Sequence, residues 1–239
     1  MKVVLDIENS VTKRGGKTHF DPFEPTNELV LVGTLTEMGE EEHFSPAKSS
    51  GLQSILDKTT LLIGHNIAYD LVWLWECGFV YDGVVFDTML GEYLLQRGQK
   101  QPLSLEACAE RYELETQKES TLKDYLKKGV SVADIPTEEL SAYLSADLHA
   151  TQQLYNKIQE RLQGEKDCKL YKTIEMTNRV ACVLAHIFQR GFTVNRDELL
   201  RVKDEFEAEK LQLQTTLDQR VSQLMGDTPI NLNSPEQLS

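Results

Sequence analysis

The chain has 239 residues, 40% of them hydrophobic, and a formal net charge of -13. That length allows one large or two modest globular domains, and the charge excludes a protein that grips duplex DNA through a broad basic surface. No apolar run is long enough to span a bilayer and Met1 leads directly into a strand, which predicts a soluble, non-exported, cytoplasmic protein with no membrane partner. The widely spaced Cys77, Cys108, Cys168 and Cys182 read as reduced structural thiols.

Val3-Val4-Leu5-Asp6-Ile7-Glu8 reads as an apolar strand with two carboxylates on one face, because side chains alternate along a strand. Two like charges on one face repel unless a cation sits between them. Residues 10–27 contain Thr12-Lys13-Arg14-Gly15-Gly16-Lys17, then Pro22 and Pro25, and read as a long hairpin or loop beside those carboxylates. Its basic residues lie where a polyanion approaching Asp6 passes. Residues 28–35 form a second strand and His43-Phe44 part of a third, with Glu40-Glu41-Glu42 expected as a solvated turn. Leu52, Ile55 and Leu56 recur at helical spacing, which predicts a short helix over 51–56.

Leu61-Leu62-Ile63 is a strand leading into Gly64-His65-Asn66, and a helix then runs from Ile67 to about Cys77 with Gly78 as its stop. Val84-Val85-Phe86 is another strand, and Asp87 caps the helix after it. Residues 103–112 and 122–128 are further helical pieces. Thr137, followed by two acids in the positive first turn, opens a long helix that Gly164 ends. Strands first, then strands alternating with helices, predict an α/β fold: a mixed sheet flanked by helices over residues 1–163.

Residues 164–239 read as an all-helical extension. A helix over 171–189 closes at Gly191, and Asn195 with Glu198 forms a cap pair for a second helix reaching about Met225. That helix has a thin apolar stripe and is marginal alone. Ser234-Pro235-Glu236-Gln237 is a helix-start signature with almost no chain after it, as expected where a longer protein, or another chain, continues it.

Two helices place polar residues on faces that should be buried. Asn66 and Asp70 are four apart, as are Tyr143 and Asp147. Each has a simple explanation alone: a helix cap for Asn66, a surface turn for Asp70, a salt bridge for Asp147, a solvated strand end for Asp6 and Glu8. Together they form an acidic set without ligand His or Cys pairs, which favours magnesium or manganese over zinc. Two such ions suit phosphodiester hydrolysis.

Leu5-Asp6-Ile7-Glu8, Gly64-His65-Asn66-Ile67-Ala68-Tyr69-Asp70 and Tyr143-Leu144-Ser145-Ala146-Asp147 resemble the three exonuclease motifs of the DEDD superfamily, in order. Tyr143 matches the tyrosine-type (DEDDy) pattern; the histidine-type group needs His at position 142, which is Ala here. Phe86-Asp87-Thr88-Met89-Leu90, the segment 175–199 and Ile230-Asn231-Leu232-Asn233-Ser234-Pro235-Glu236-Gln237-Leu238 resemble family A DNA polymerases, and the insertion at 12–27 is similar to that of bacteriophage members.

The resemblance implies a ribonuclease-H-like 3′-5′ exonuclease, the proofreading domain, over 1–163, and over 164–239 a helical linker and the start of the polymerase thumb. Palm and fingers would follow in cis or on a separate chain, so this chain alone should not polymerise. It implies two ions, Mg2+ or Mn2+, with Asp6 bridging both, Glu8 and Asp147 on the nucleophile side and Asp70 on the second ion through water. Tyr143 orients the attacking water; Asn66, and with less support Asn9, contact the 3′-terminal nucleotide of a single-stranded or frayed DNA end. His65 reads as a helix-start residue, and the family's aromatic wedge has three candidates, Phe20, Phe23 and Tyr125. A phage-encoded protein would act in the host cytoplasm. Two rival readings are an RNA 3′-end trimming DEDDy nuclease, which should not carry the segment 231–238, and a non-catalytic or dual-role subunit of a split polymerase that docks the catalytic half.

Overall fold

The computed structural model describes residues 1–45, 50–114, 125, 128–164, 168–226 and 234. In chain order the strands are β1 (Lys2–Asn9), β2 (Thr12–Arg14), β3 (Lys17–His19), β4 (Leu29–Thr36), β5 (Glu41–Phe44), β6 (Leu61–Gly64) and β7 (Val84–Asp87). The α-helices among the described residues are α1 (Ser50–Lys58), α2 (Ile67–Glu76), α3 (Thr88–Leu95), α4 (Leu105–Arg111), α5 (Thr137–Gly164), α6 (Cys168–Arg190) and α7 (Arg196–Met225).

Five strands form one mixed sheet in the order β5-β4-β1-β6-β7, with β1 at its centre. β1 runs antiparallel to β4 and parallel to β6, while β2 and β3 form a separate hairpin. The period-two pattern of β1 separates two cores. Val3, Leu5 and Ile7 pack with Leu52, Leu56, Leu71 and Trp73 of α1 and α2. Val4, on the face shared by Asp6 and Glu8, packs with Leu140, Leu144 and Leu148 of α5.

One expectation changes. Glu41 and Glu42 belong to β5, an edge strand paired with β4, and not to a turn. An edge strand is half solvated, so acidic residues do not prevent pairing there. The compact sheet-bearing unit extends past residue 163 to Arg190, because α6 packs on α2, α3 and β7. Buried Asn178 of α6 accepts from the Asp87 amide at 3.3 Å, and His186 stacks on Trp75 at 3.9 Å. The second unit is Gly191–Ser239, in which Asn195 caps α7 by accepting from the Glu198 amide and exposed pairs such as Lys203 with Glu207 line the helix. The segments expected at 122–128 and 230–238 fall, apart from residues 125, 128 and 234, outside the described residues. No helix among the described residues is long and apolar enough to cross a membrane.

Candidate active site

β1 outlasts its neighbour. Lys2, Val3 and Val4 pair with Leu61, Leu62 and Ile63, and β6 stops at Gly64, so Asp6 and Glu8 stand beyond its carboxyl end, where α2 begins. Ligand sites of open α/β sheets gather at the carboxyl ends of strands for this reason. On the other edge Asp6 lies opposite Gly33 of β4. A Cβ at Gly33 would come within 2.7 Å of Leu148 Cδ1 and 2.8 Å of Leu144 Cγ, both fully buried. The bare glycine therefore lets α5 lie directly on the sheet beside Asp6. Asp147, next to Leu148, then meets β1: Asp6, Glu8 and Asp147 each offer a carboxylate oxygen, all within 4.8 Å of one another.

Asp70 enters from α2, where it is 3% exposed and feels the charges of Asp6, Asp87 and Glu8. The turn that places it is held by other residues. Asn66 takes a left-handed conformation (φ 65°) with no cap bond from its side chain. Asp87 Oδ1 accepts instead from the Asn66 amide at 3.0 Å, and also from the amides of Met89 and Leu90, so one buried carboxylate anchors the starts of α2 and α3. His65 Nε2 lies 2.8 Å from the Leu103 carbonyl oxygen and Nδ1 lies 2.9 Å from Thr88 Oγ1. Burial lowers its pKa, which favours the neutral ring; His65 is a clip between loops, in keeping with its reading as a helix-start residue.

Burial raises the Asp6 pKa to about 8, with the charge of Asp147 adding to it. Glu8 and Asp70 move up for the same reasons, burial first and the Asp6 charge second. Burial, then the charges of Asp147 and Glu8, raise the Tyr143 phenol, whose side chain hydrogen-bonds to Asp147. Four carboxyls, those of Asp6, Glu8, Asp70 and Asp147, thus crowd one space and oppose one another's charge. An oxygen-only set of this kind fits a hard divalent cation, which Asp6, Glu8 and Asp147 can hold together.

The five expected catalytic residues converge. Asn66 is exposed, at the start of the helix that carries Asp70. Asn9 is already engaged at both ends of its amide: Oδ1 lies 2.8 Å from the Tyr69 hydroxyl and Nδ2 donates to the Ser10 carbonyl at 2.9 Å. Tyr125 bonds Glu139 at 3.3 Å. Sequence reasoning missed Gly33, Tyr69 and the bond network around Glu41, which accepts from Ser145 of α5 and faces His43 and His149 at 2.8 and 3.1 Å. A glycine inside an apolar strand was the available signal for Gly33.

The family model described as 3′-5′ exonuclease, that of DNA polymerase A exonuclease domains, matches residues 26–163. The chain belongs to this family. The match takes in Asn66, Asp70, Tyr143 and Asp147 of the exonuclease, while Asp6 and Glu8 precede it and reach the site through sheet pairing. DNA polymerase I of Synechocystis sp. is 32% identical over 174 residues, 72% of the exonuclease chain and 17% of the polymerase. That of Borreliella burgdorferi is 27% identical over 222 residues, 87% and 23% of the respective chains. The exonuclease thus spans less than a quarter of the length of these relatives. Among solved structures, the POL domain of Pol1 from M. smegmatis, complexed with DNA primer-template and dNTP, aligns with TM-score 0.64 at 17% identity over 99% of this chain and 35% of that one. Brucella melitensis NrnC bound to pGG aligns with TM-score 0.59 at 19% identity over 80% and 85%, and NrnC is also solved with bound Mg2+. At these identities the likeness is one of fold, a ribonuclease-H-like exonuclease fold.

Proposed function

We propose that this exonuclease removes 3′-terminal nucleotides from single-stranded or frayed DNA by two-metal hydrolysis, as the proofreading part of a larger family A DNA polymerase. The observation that carries the reading is the meeting of Asp6, Glu8 and Asp147 within 4.8 Å, with buried Asp70 and half-buried Tyr143 beside them. Asp6, Glu8 and Asp147 would hold magnesium or manganese, with Asp70 serving a second ion. Such ions, when bound, neutralise charge on the attacking and leaving oxygens and make water acidic enough to attack phosphorus.

The side chains account for the rest. With its pKa pushed upward, Tyr143 stays protonated at neutral pH, so it orients a water by hydrogen bonding and does not act as a base. Asn66, with a side chain unused by the helix cap, is free to bind the terminal nucleotide. Residues 164–239 would be the linker and the start of the thumb. The exposed apolar stripe of α6, with Met176, Val180, Val183, Leu184 and Ile187, supports a docking face for the remaining polymerase. Digestion of matched single-stranded DNA and RNA tests the substrate: DNA should be degraded at least about tenfold faster in kcat/KM, a difference of roughly 1.4 kcal/mol in transition-state binding. Preference for RNA would support a 3′-end trimming nuclease instead.

A further inference from the structure

β6 and β7 end side by side, at the paired residues Gly64 and Asp87, and they lead into α2 and α3. The two helix starts share one anchor. Asp87, 1% exposed, accepts on Oδ1 from the amides of Asn66 at 3.0 Å, Met89 at 2.9 Å and Leu90 at 3.3 Å, and its carboxylate also takes the Ile67 amide. The positive ends of both helices therefore converge on one buried anion. Thr88 fastens the same two turns, its hydroxyl donating to the Gly64 carbonyl at 3.0 Å and lying 2.9 Å from His65 Nδ1.

What this anchor fixes is Asp70. That residue lies in the first turn of α2 and outside the group of Asp6, Glu8 and Asp147 whose oxygens meet within 4.8 Å, so its reach toward a second ion is set by where the turn is held. Asn66, just before the turn, is in the left-handed region at φ 65°, a conformation that a residue other than glycine keeps only where its surroundings enforce it. The bond from its amide to Asp87 is such a constraint. Asp87 is held in turn, because its own amide donates at 3.3 Å to Oδ1 of Asn178, which is 2% exposed on α6. Asn178 lies beyond residue 163, where the family match ends.

Resting on the exonuclease reading above, in which Asp70 serves a second ion, we propose that Asp87 and Asn178 are positioning residues for that ion: Asp87 fixes the start of α2 and so the place of Asp70, and Asn178 fixes Asp87 from α6. Neither touches the metal. With Oδ1 committed to amides, Asp87 acts through the backbone of Asn66 and Ile67 and through its charge, which Asp70 feels directly. Groups that orient a ligand without binding the ion commonly set the ion's affinity. On this reading α6 is a working part of the nuclease, and loosening it from β7 weakens the second ion.

The test compares Asp87→Asn, which keeps the outline and Oδ1 but removes the charge, and Asn178→Ala, which removes the acceptor, with Glu92→Gln as a control. Glu92 is a buried residue of α3 paired with Arg111 at 2.8 Å, so its variant loosens the same region without altering the anchor. Manganese ions bound to each protein are counted by electron paramagnetic resonance in the presence of dTMP, whose phosphate completes the ion sites without turnover. The unaltered protein should bind two ions, and both anchor variants should weaken the second by about tenfold while leaving the first unchanged. Hydrolysis of oligo-dT should show the same rise in the manganese needed for half-maximal rate, with KM for the strand unchanged. Glu92→Gln should lower Tm and leave the second ion in place. Where circular dichroism shows Asp87→Asn unfolded, Asn178→Ala decides. Equal weakening in Glu92→Gln, full-strength binding of both ions in the anchor variants, or a single ion in the unaltered protein overturns the proposal. Hydrolysis by the unaltered protein separates the two readings: hydrolysis with ion binding unchanged in the anchor variants rejects the positioning alone, and a weakened second ion without any hydrolysis rejects the exonuclease assignment alone.

Discussion

Asp6 sits where burial and the charge of Asp147 both oppose its ionisation, and its pKa rises to about 8. A carboxyl raised in this way binds more protons folded than unfolded, so it stabilises the fold at low pH and loses that contribution as pH rises through its folded value. Glu8 and Asp70 shift in the same direction. The metal-free protein should therefore lose thermal stability as pH rises from about 4 to about 8, measured as Tm in EDTA. Manganese should restore Tm most strongly at the upper end, where the carboxylates ionise to bind it. Asp6→Asn should flatten the metal-free slope; an unchanged slope would mean that other groups set it. Tyr143→Phe keeps the ring but removes the hydroxyl that bonds Asp147. It should lower kcat roughly 10- to 100-fold, the usual cost of losing a group that orients a ligand, with little change in KM for the strand. An equal rise in KM would make Tyr143 a binding residue instead.

At the scale of elements, the site depends on how closely α5 lies on β1 and β4. Gly33→Ala places a methyl against Leu144 and Leu148, and overpacking of that kind costs about 1–3 kcal/mol. Because the displaced helix carries Asp147, Gly33→Ala should also raise the metal concentration needed for half-maximal activity, read by manganese titration. Lost stability with unaltered metal demand would show that α5 position and metal affinity are separate. The faces of β1 and α5 were legible in the sequence because alternation and 3.6-residue periodicity encode them directly, and so five candidate residues that the fold brings together could be chosen. The role of Gly33 was not legible, since it depends on which helix, formed more than a hundred residues later, lies over its strand. Glu41 looked like a solvated acid because nothing local reveals that Ser145 and His149 of α5 come to meet it. The reach of the first unit to Arg190 was hidden for a related reason: α6 buries only a narrow face, including Ile174, Asn178 and Ala185, and otherwise reads as an independent amphipathic helix.

For the whole molecule, the family match and the converging carboxylates agree on one chemistry, reached from opposite directions. The match covers residues 26–163 and omits the strand that carries Asp6 and Glu8; the sheet supplies that strand at its centre, opposite Gly33. A chain spanning 17% of one DNA polymerase I and 23% of another brings Asp6, Glu8 and Asp147 within 4.8 Å of one another, so on the proposed reading nucleotide removal should not require the rest of such a protein. The most direct measurement follows single-stranded DNA labelled at its 5′ end through digestion by the purified chain in manganese, with products resolved by length and the released nucleotide identified. A ladder shortening from the 3′ end with release of 5′-mononucleotides is predicted, with the rate falling at least about a thousandfold in Asp6→Ala or Asp147→Ala, as expected when charge stabilisation of the transition state is lost, and abolished by EDTA. Shortening from the 5′ end, internal cuts, or hydrolysis that persists unchanged in either variant would contradict the account.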